Sequence, residues 1–573
     1  MMENQRAEAF LAESAEELLQ LYPENASLLG LDHGERAALK SRLTDRSAEG
    51  IAEAKGRITD RLTAIRSFDR RGANAEARLH LDIGEAAFDL VREGMEFGFG
   101  DASGLNMGLS HRSTPYVVSQ NTGAYVELPD FLEAQHGVAS AADADAFLAR
   151  LQALAGAIDG ETGRIRSDGA AGVVLPDFLL HKTIAQIAAQ RDAAVASWPW
   201  LQSFPGQTAR FGGHYALQAH AVAADCIAPA LDRQVEALTA LLPAATGDAG
   251  VWKLPQGEAF YGWALRANTT TDLEAREVHR LGLEHLALLQ GRMEPLLRAQ
   301  GLTRGTIGER MAALGNEPRH RFPNDAEGRK ALIAYIEDCL SGMRARMPDA
   351  FATLVPCRMA VRRVPEAIEQ GAPDGYAMAG SVDGLVPGYF YINLRDTTLW
   401  PRHALPTLAF HEAIPGHIWQ GEYTYRLPLF RSLLSFNAYA EGWALYAEQL
   451  ADELGAYDDD PLGRLGYLQS LAFRACRLAV DTGIHAMRWS REQAVAWFVE
   501  NNGSSHVQVA GEVDRYLVWP GQACSYKVGH ARFQAIREEA MVSAGAGFDL
   551  RSFNDKLVRS GSMPLNLLET VFA

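Results

Sequence analysis

The chain has 573 residues, of which 47% are hydrophobic and 22% charged, as in ordinary soluble globular proteins. Its formal net charge of −17 argues against nonspecific nucleic-acid binding, which requires a basic surface. The N-terminus lacks a basic segment followed by an apolar one, and no apolar run reaches the roughly 20 residues that span a bilayer. We therefore expect no nucleic-acid partner, no membrane span and a cytoplasmic location, or export if a leader has been removed.

Helical periodicity dominates the chain, without a repeat or an obvious interdomain linker. A glycine-rich passage over residues 97–115 is predicted to be a loop. The five cysteines are scattered without C-x-x-C spacing, so we expect them to be reduced and buried. Capping signals and alanine-rich composition place helices at residues 213–242, from a Thr271–Glu274 capping box to Gly301, and from Ser490 and Gln493 to Gly503.

One segment is predicted to form a strand. Residues 388–394, GYFYINL, alternate Phe390 and Ile392 with Tyr389 and Tyr391, the period of a half-buried strand. The strand precedes His411 by about 17 residues. Two interpretations stay open: an ordinary edge strand covered by helices, or the edge of a substrate cleft.

Residues 411–417, HEAIPGH, resemble the zinc-hydrolase motif H-E-x-x-H, with the second histidine two residues late. On an unbroken helix, an i,i+6 pair would point roughly 120° apart. Pro415 and Gly416 can break the helix and return His417 toward His411. The alternative is a helix ending at Ile414, with His417 in a loop making ordinary hydrogen bonds.

A third ligand is predicted in NAYAEGWALYAEQL, residues 437–450. This segment has the composition of a buried helix but carries Glu441 and Glu448, and a buried carboxylate must be paired or coordinated. We predict that Glu441 binds the metal and that Glu448, two turns later, supports a ligand histidine. The alternative is an amphipathic helix with both glutamates in solvent.

Together, HEAIPGH, EGWALYAE and WPGQACSYKVGH resemble the bacterial family named domain of unknown function 885. Four more segments resemble family blocks in the expected order, beginning at Ser119, Gly172, Tyr261 and Val382. The family is similar to glutamate-type zincin (gluzincin) peptidases with the fold of angiotensin-converting enzyme. The resemblance implies a mainly α fold of two helical lobes around a deep channel, with a small β-sheet at the active-site cleft. It implies one catalytic unit over residues 1–573, with lobes interleaved in sequence and a metal-binding core at 375–535.

The predicted activity is zinc-dependent cleavage of short peptides, with one Zn²⁺ per chain on His411, His417 and Glu441. Glu412 would act as general base, and the Tyr526 hydroxyl would stabilise the oxyanion. Buried tyrosine hydroxyls also commonly bond a backbone carbonyl, which is the alternative role for Tyr526.

Residues near these positions are candidates for binding substrate. A cation and an amide suit a terminal carboxylate, although Lys527 and Tyr526 are adjacent on a helix and should diverge. His530, one turn later, could assist at the oxyanion or cap a helix. The candidates are Tyr391, Arg515, Gln522, Lys527 and His530.

Two other functions remain open: a zinc amidohydrolase acting on a non-peptide amide or acylated amino acid, and a non-catalytic binding protein with the same fold. Substrate preference, exo- or endopeptidase action and oligomeric state are not predicted.

Overall fold

The computed structural model describes residues 2–212, 214–366, 369, 374–381 and 386–572. The fold is mainly helical with small sheets, as the sequence predicts. The chain forms two compact units, Met1–Trp263 and Ala264–Ala573. These units follow one another in sequence, and residues 375–535 lie wholly in the second. That the lobes are interleaved and that residues 375–535 form the metal-binding core stay predictions. The zincin-like, two-lobed arrangement stays a prediction.

The first unit contains most of helices α1–α12 and one short pair of strands. Strands β1 (Asp101–Ala102) and β2 (Ser113–Thr114) pair antiparallel, so the glycine-rich passage predicted as a loop holds a small hairpin. The predicted helix over 213–242 is divided into α10, a π-helical turn and α11, and Gly213 lies outside the described residues. The helices are α1 Met2–Leu21, α2 Glu24–Leu28, α3 Ala48–Arg66, α4 Ala75–Gly94, α5 Ala124–Gln135, α6 Ala141–Ala170, α7 Asp177–Asp192, α8 Pro199–Gln202, α9 Phe204–Thr208, α10 His214–Val222, α11 Ala228–Thr239 and α12 Gly257–Thr269.

The second unit contains the remaining helices and a three-stranded sheet. Within the described residues, no helix of the chain is long and apolar enough to cross a membrane. The helices are α13 Ala275–Ala299, α14 Ile307–Asn316, α15 Ala326–Ala350, α16 Leu405–Glu412, α17 His417–Thr424, α18 Leu429–Ser432, α19 Asn437–Glu453, α20 Pro461–Met487, α21 Arg491–Asn502, α22 His506–Val518, α23 Ser525–Ala544, α24 Leu550–Arg559 and α25 Leu565–Phe572.

The helix-end predictions were partly right. Helix α21 begins after Ser490, whose side chain accepts a hydrogen bond from the Gln493 amide, and it ends at Gly503 in the left-handed region. Helix α13 is followed by Gly301, as expected. Its predicted Thr271 cap was wrong. The helix starts one residue after Glu274, which is itself the cap and pairs reciprocally with Glu277, three residues later.

The cysteines carry no disulfide among themselves. Cys357, Cys476 and Cys524 are buried, as expected for small apolar residues. Cys339 is partly exposed and Cys226 is exposed, so the expectation of burial was wrong for those two.

The strand predicted over 388–394 is present as β5 (Gly388–Ile392), but it is not an edge strand. It lies between β3 (Met359–Arg363), parallel to it, and β4 (Gly375–Met378), antiparallel to it. Both interpretations that placed it at an edge were therefore wrong. The segment 382–385, at the start of the predicted family block, lies outside the described residues.

Helices α19 and α23 pack at backbone distance, and this contact brings two parts of the predicted site together. A Cβ atom placed on Gly529 would lie 1.9 Å from the carbonyl oxygen of Ala438, and one on Gly442 would lie 2.6 Å from the carbonyl carbon of Gly529. Only glycine fits at either position. Because Gly442 follows Glu441 directly and Gly529 is three residues from Tyr526, this crossing determines the separation of those two side chains.

Candidate metal centre and active site

The predicted break in the motif helix is present. Helix α16 ends at Glu412 and α17 begins at His417, with Ala413 and Gly416 outside helical backbone geometry. His417 is thus the first residue of a second helix, rather than a loop residue. The break is complete, because α16 and α17 are two separate helices.

Gly416 and Trp443 hold the turn between the two helices. A Cβ atom on Gly416 would lie 1.7 Å from the carbonyl oxygen of His411, so a larger residue cannot occupy this position without movement of the backbone. Trp443 is fully buried in α19, and its indole nitrogen donates to the carbonyl oxygens of Pro415, at 3.0 Å, and Gly416, at 3.3 Å. The turn that positions His417 is therefore tied to the helix that carries Glu441.

Three side chains converge at this turn. One ligand atom from each of His411, His417 and Glu441 lies within 4.8 Å of the others. Oε2 of Glu441 is 3.7 Å from Nε2 of His411 and 3.5 Å from Nε2 of His417. The imidazole rings are nearly perpendicular, with centres 5.0 Å apart.

The donor set fits a zinc ion. Oε2 of Glu441 is buried and has no hydrogen-bond partner, which is costly for a carboxylate oxygen. Hydrogen bonds to such an oxygen would be about 2.7–2.9 Å long. Ligands about 2.0–2.2 Å from one tetrahedral zinc lie roughly 3.3–3.6 Å apart, close to the two distances observed here. Two imidazoles and one carboxylate also form a known catalytic zinc set.

Glu448 orients the first histidine. Nδ1 of His411 donates to Oε1 of Glu448 at 2.8 Å, and Glu448 is fully buried. This bond holds a proton on Nδ1, so Nε2, which faces Glu441, is the nitrogen that would be left for a metal. Burial would lower the pKa of His411, but Glu441 and Glu448 together raise it to about 9. Arg474 of α20 lies 3.9 Å from the same Glu448 oxygen.

Glu412 lies at the C-terminus of α16, directly after His411, and is only 9% exposed. Burial raises the pKa of its carboxyl group, while the nearby His411 and His417 lower it. In contrast, His411 and His417 hold the pKa of Glu441 well below its usual range although burial opposes this. Two neighbouring carboxylates therefore differ in proton affinity, and Glu412 is the more basic of the pair. That difference suits a proton acceptor beside a metal ligand.

Tyr526, at the start of α23, lies beside this cluster. Its ring is nearly parallel to that of His411, with 6.4 Å between centres. Burial and the charge of Glu441 raise the pKa of its phenol, so it remains a neutral hydrogen-bond donor near pH 7. The guanidinium carbon of Arg477 lies 4.3 Å from the centre of the same ring.

Arg515 and Gln522 belong to a buried network behind Tyr526. Nη1 of Arg515 donates to Oε1 of Gln522 at 2.5 Å, and its Nη2 donates to Oε2 of Glu512 at 3.0 Å. The same Glu512 oxygen accepts from the hydroxyl of Tyr516 at 2.7 Å and from Nη2 of Arg477 at 2.8 Å. Arg515 and Gln522 are therefore near the predicted position but already bonded within the protein.

Lys527 and His530 lie elsewhere. Nζ of Lys527 donates to Nδ1 of His530 at 2.8 Å, and Nε2 of His530 donates to Oε1 of Gln449 at 2.9 Å. Both residues are almost fully buried between α19 and α23. Burial lowers the pKa of Lys527 to about 7 and that of His530 well below its usual value. As helix geometry predicted, the Lys527 side chain points away from Tyr526. Lys527 and His530 lie in the interface between α23 and α19.

Tyr391 is on the half-exposed face of the central strand β5. Its ring stacks on Tyr376 at 5.1 Å and lies 5.8 Å from Tyr389. The sheet packs against α17, since a Cβ atom on Gly388 would lie 2.6 Å from the Ile418 side chain. A substrate strand cannot pair with β5, because β3 and β4 occupy both of its sides. The predicted contact of Tyr391 with substrate stays a prediction.

A known protein family resembles this chain over most of its length. The family model described as "Bacterial protein of unknown function (DUF885)" matches residues 23–571. The chain belongs to this family. A search of curated proteins finds no match.

Two solved structures share the fold of this DUF885 chain. "The putative lipoprotein from Colwellia psychrerythraea" is 29% identical, with a TM-score of 0.95 over 100% of this chain and 98% of that one. A "putative lipoprotein of unknown function from Shewanella oneidensis" is 17% identical, with a TM-score of 0.71 over 98% of each chain. The second likeness concerns the fold alone.

Sequence reasoning missed two residues of this DUF885 site, Arg477 and Trp443. A signal was present for Arg477, because it interrupts the apolar stretch of α20 as Glu441 and Glu448 interrupt that of α19. A charge on a buried helix needs a partner, and the same argument would have singled it out. Trp443 carried no such signal, since a tryptophan in an apolar helix is expected to be an ordinary core residue.

Proposed function

We propose that this DUF885 protein is a zinc-dependent hydrolase of peptide bonds in short peptides, with a gluzincin-like active site. His411, His417 and Glu441 would hold one zinc ion per chain. The observation that carries the proposal is the convergence of these three side chains around a buried, unpartnered Glu441 oxygen. The distances of 3.5 and 3.7 Å from this oxygen to the two histidines are longer than hydrogen bonds and match the spacing of ligands around one zinc ion.

A zinc ion bound here would supply Lewis-acid chemistry, lowering the pKa of water and polarising a carbonyl group. The main chemical contribution of the protein itself is then proton transfer by Glu412. Its carboxylate, made more basic by burial, takes the proton of the attacking water and returns it to the leaving amine. Because His411 and Glu412 are consecutive at the end of α16, the base is held next to the ligand cluster without a separate positioning element.

Tyr526 would donate its phenolic hydrogen to the oxygen of the substrate carbonyl as negative charge develops there. A preorganised donor of this kind contributes about 3–4 kcal/mol to transition-state stabilisation. The position of Tyr526, with its ring parallel to His411, supports this role. Glu448 would keep His411 in the tautomer that offers Nε2 to the metal.

We also propose that the protein functions outside the compartment in which it is made. The solved structure from Colwellia psychrerythraea, which is 29% identical and covers this chain completely, is described as a "putative lipoprotein". Fractionation of cells expressing the native gene, with detection by antibody, tests this. Recovery with the envelope or medium supports export, and recovery only with the cytosolic fraction contradicts it.

The proposed function is tested by measuring metal content and hydrolysis together. Protein purified without chelator is analysed for metal by mass spectrometry, then incubated with a library of short peptides whose products are identified by mass. We expect about one zinc per chain, cleavage that dipicolinate abolishes, and recovery on adding zinc. The variant Glu441→Gln should lose both zinc and cleavage, whereas Glu453→Gln, three turns later on α19, should retain both. Cleavage that survives complete metal removal would refute the proposal, and so would bound zinc with no cleavage of any peptide.

A further inference from the structure

The hydrogen bonds of the Arg477 guanidinium leave one of its three nitrogens to be explained. It lies in the middle of α20 and is only 7% exposed. Its Nε donates to the Tyr516 hydroxyl at 3.0 Å, and its Nη2 donates to Glu512 at 2.8 Å. The third nitrogen, Nη1, is buried and has no hydrogen-bond acceptor in the described part of the chain. A buried donor of a charged group left without a partner is costly, so this position requires an explanation.

The aromatic ring of Tyr526 provides one. The guanidinium carbon lies 4.3 Å from the ring centre, well within the roughly 6 Å over which a cation is attracted to an aromatic face. An N–H group that faces a π system is partly compensated without a conventional acceptor. The nitrogen without an acceptor is therefore part of the guanidinium that lies over the Tyr526 ring.

Arg477 is held firmly enough to position the ring it contacts. Tyr516 and Glu512 fix two of its three nitrogens, and Arg515 donates to the same Glu512 oxygen. Two guanidinium groups therefore share one carboxylate. In the described residues, Glu512 is the only carboxylate within ion-pair distance of either arginine. The cluster thus carries a net positive charge next to the phenol, where it can act on the reactive hydroxyl.

We propose that Arg477 is a positioning residue. It holds the ring of Tyr526 parallel to His411 through a cation–π contact, and its positive charge strengthens the phenol as a hydrogen-bond donor. This role rests on the proposed function, because Arg477 would stabilise the transition state only indirectly, through the hydroxyl of Tyr526. It touches neither substrate nor metal in this account.

The charge effect has a definite direction. Burial and Glu441 raise the pKa of the Tyr526 phenol, while Arg477 and Arg515 lower it. A more acidic phenol is a better donor to a developing oxyanion. Removal of the guanidinium should therefore weaken catalysis even where the ring stays in place.

A double-mutant cycle in catalysis tests the inference. Arg477→Gln and Arg477→Lys are made in the wild type and in Tyr526→Phe, which keeps the ring but removes the hydroxyl. In the wild type we expect Arg477→Gln to lower kcat about 10- to 100-fold and Arg477→Lys, which keeps the charge, to lower it less, with KM within about threefold in both. In Tyr526→Phe the same substitutions should change kcat less than about threefold, because the hydroxyl through which Arg477 acts is already absent. Arg464→Gln, on the same helix but paired with Asp452, is the matched control and should leave kcat unchanged.

A second cycle measures the contact without using activity. Urea unfolding of Arg477→Gln, Tyr526→Leu and the double variant gives the coupling between guanidinium and ring. We expect a coupling of about 2- to 30-fold in the unfolding equilibrium constant. Equal losses of kcat in both backgrounds, or no coupling in unfolding, would overturn the inference while leaving peptide hydrolysis intact. If the wild type cleaves no peptide, the proposed function has failed and this inference fails with it.

Discussion

Nδ1 of His411 lies 2.8 Å from Oε1 of Glu448, a carboxylate that is completely buried on the helix that also carries Glu441. A single helix, α19, thereby supplies both a candidate ligand and the group that orients a second one. This arrangement explains why two glutamates occur in an otherwise apolar segment, and it makes the zinc hypothesis sensitive to a residue that would never touch the metal.

We predict that Glu448→Gln lowers zinc affinity about 10- to 100-fold. The amide oxygen can still accept the Nδ1 hydrogen, but the negative charge that makes His411 a better ligand is lost. Competition with a chromophoric chelator measures the dissociation constant. Glu453→Gln on the same helix serves as control, and equal affinities in wild type and Glu448→Gln would mean that this carboxylate does not tune the site.

Gly416→Ala should damage the site through the backbone. The added Cβ would lie 1.7 Å from the His411 carbonyl oxygen, so α16 and α17 must move apart and His417 must move with them. We expect the free energy of unfolding to fall by about 1–3 kcal/mol and zinc affinity to fall at least about tenfold.

Urea unfolding and chelator competition on the same samples check both effects. The control is Gly291→Ala in α13, where a Cβ meets no atom within 4 Å and helix propensity predicts a gain of about 0.5–1 kcal/mol. Normal zinc binding by Gly416→Ala would show that the turn can relax without moving His417.

Glu412→Gln separates metal binding from catalysis. The amide cannot accept the proton of the attacking water, yet it leaves all three proposed ligands in place. We expect about one zinc per chain and a fall in kcat of at least about 100-fold. Metal analysis and peptide cleavage on one preparation give both quantities, and unchanged cleavage would remove Glu412 from the mechanism.

Lys527 should make stability depend on pH. Burial lowers its pKa to about 7 in the folded protein, against about 10.4 when unfolded. Between these values the unfolded chain binds more protons, so the free energy of unfolding should rise with pH, by about 4–5 kcal/mol in total. Urea midpoints at pH 7 and pH 10 test this. In Lys527→Met that part of the rise should disappear, and identical pH profiles for both proteins would contradict the assignment.

The sequence predicted the local parts of the site better than the long-range ones. HEAIPGH placed two histidines and the break between them in one short segment, so spacing and backbone chemistry were sufficient. Glu441 and Glu448 could be identified because a charge in a buried helix demands a partner. Arg477 carries the same signal, but its partners lie on α22 and α23, and the sequence alone does not place those helices beside α20.

The sheet illustrates the same limit. Alternation in GYFYINL predicts a strand and its buried face, and Phe390 and Ile392 are indeed buried. Alternation does not reveal how many neighbours a strand has. The partners of β5 are supplied by β3 and β4, whose sequences carry weak signals, so its central position had to come from the structure.

The most direct test of the account is an anomalous difference map from a crystal grown with zinc, recorded on both sides of the zinc absorption edge. Zinc bound as proposed would give one peak in the second unit, about 2.0–2.2 Å from Nε2 of His411, Nε2 of His417 and a carboxylate oxygen of Glu441. A map with no peak among these three side chains, or with zinc bound only at another place on the chain, would contradict it.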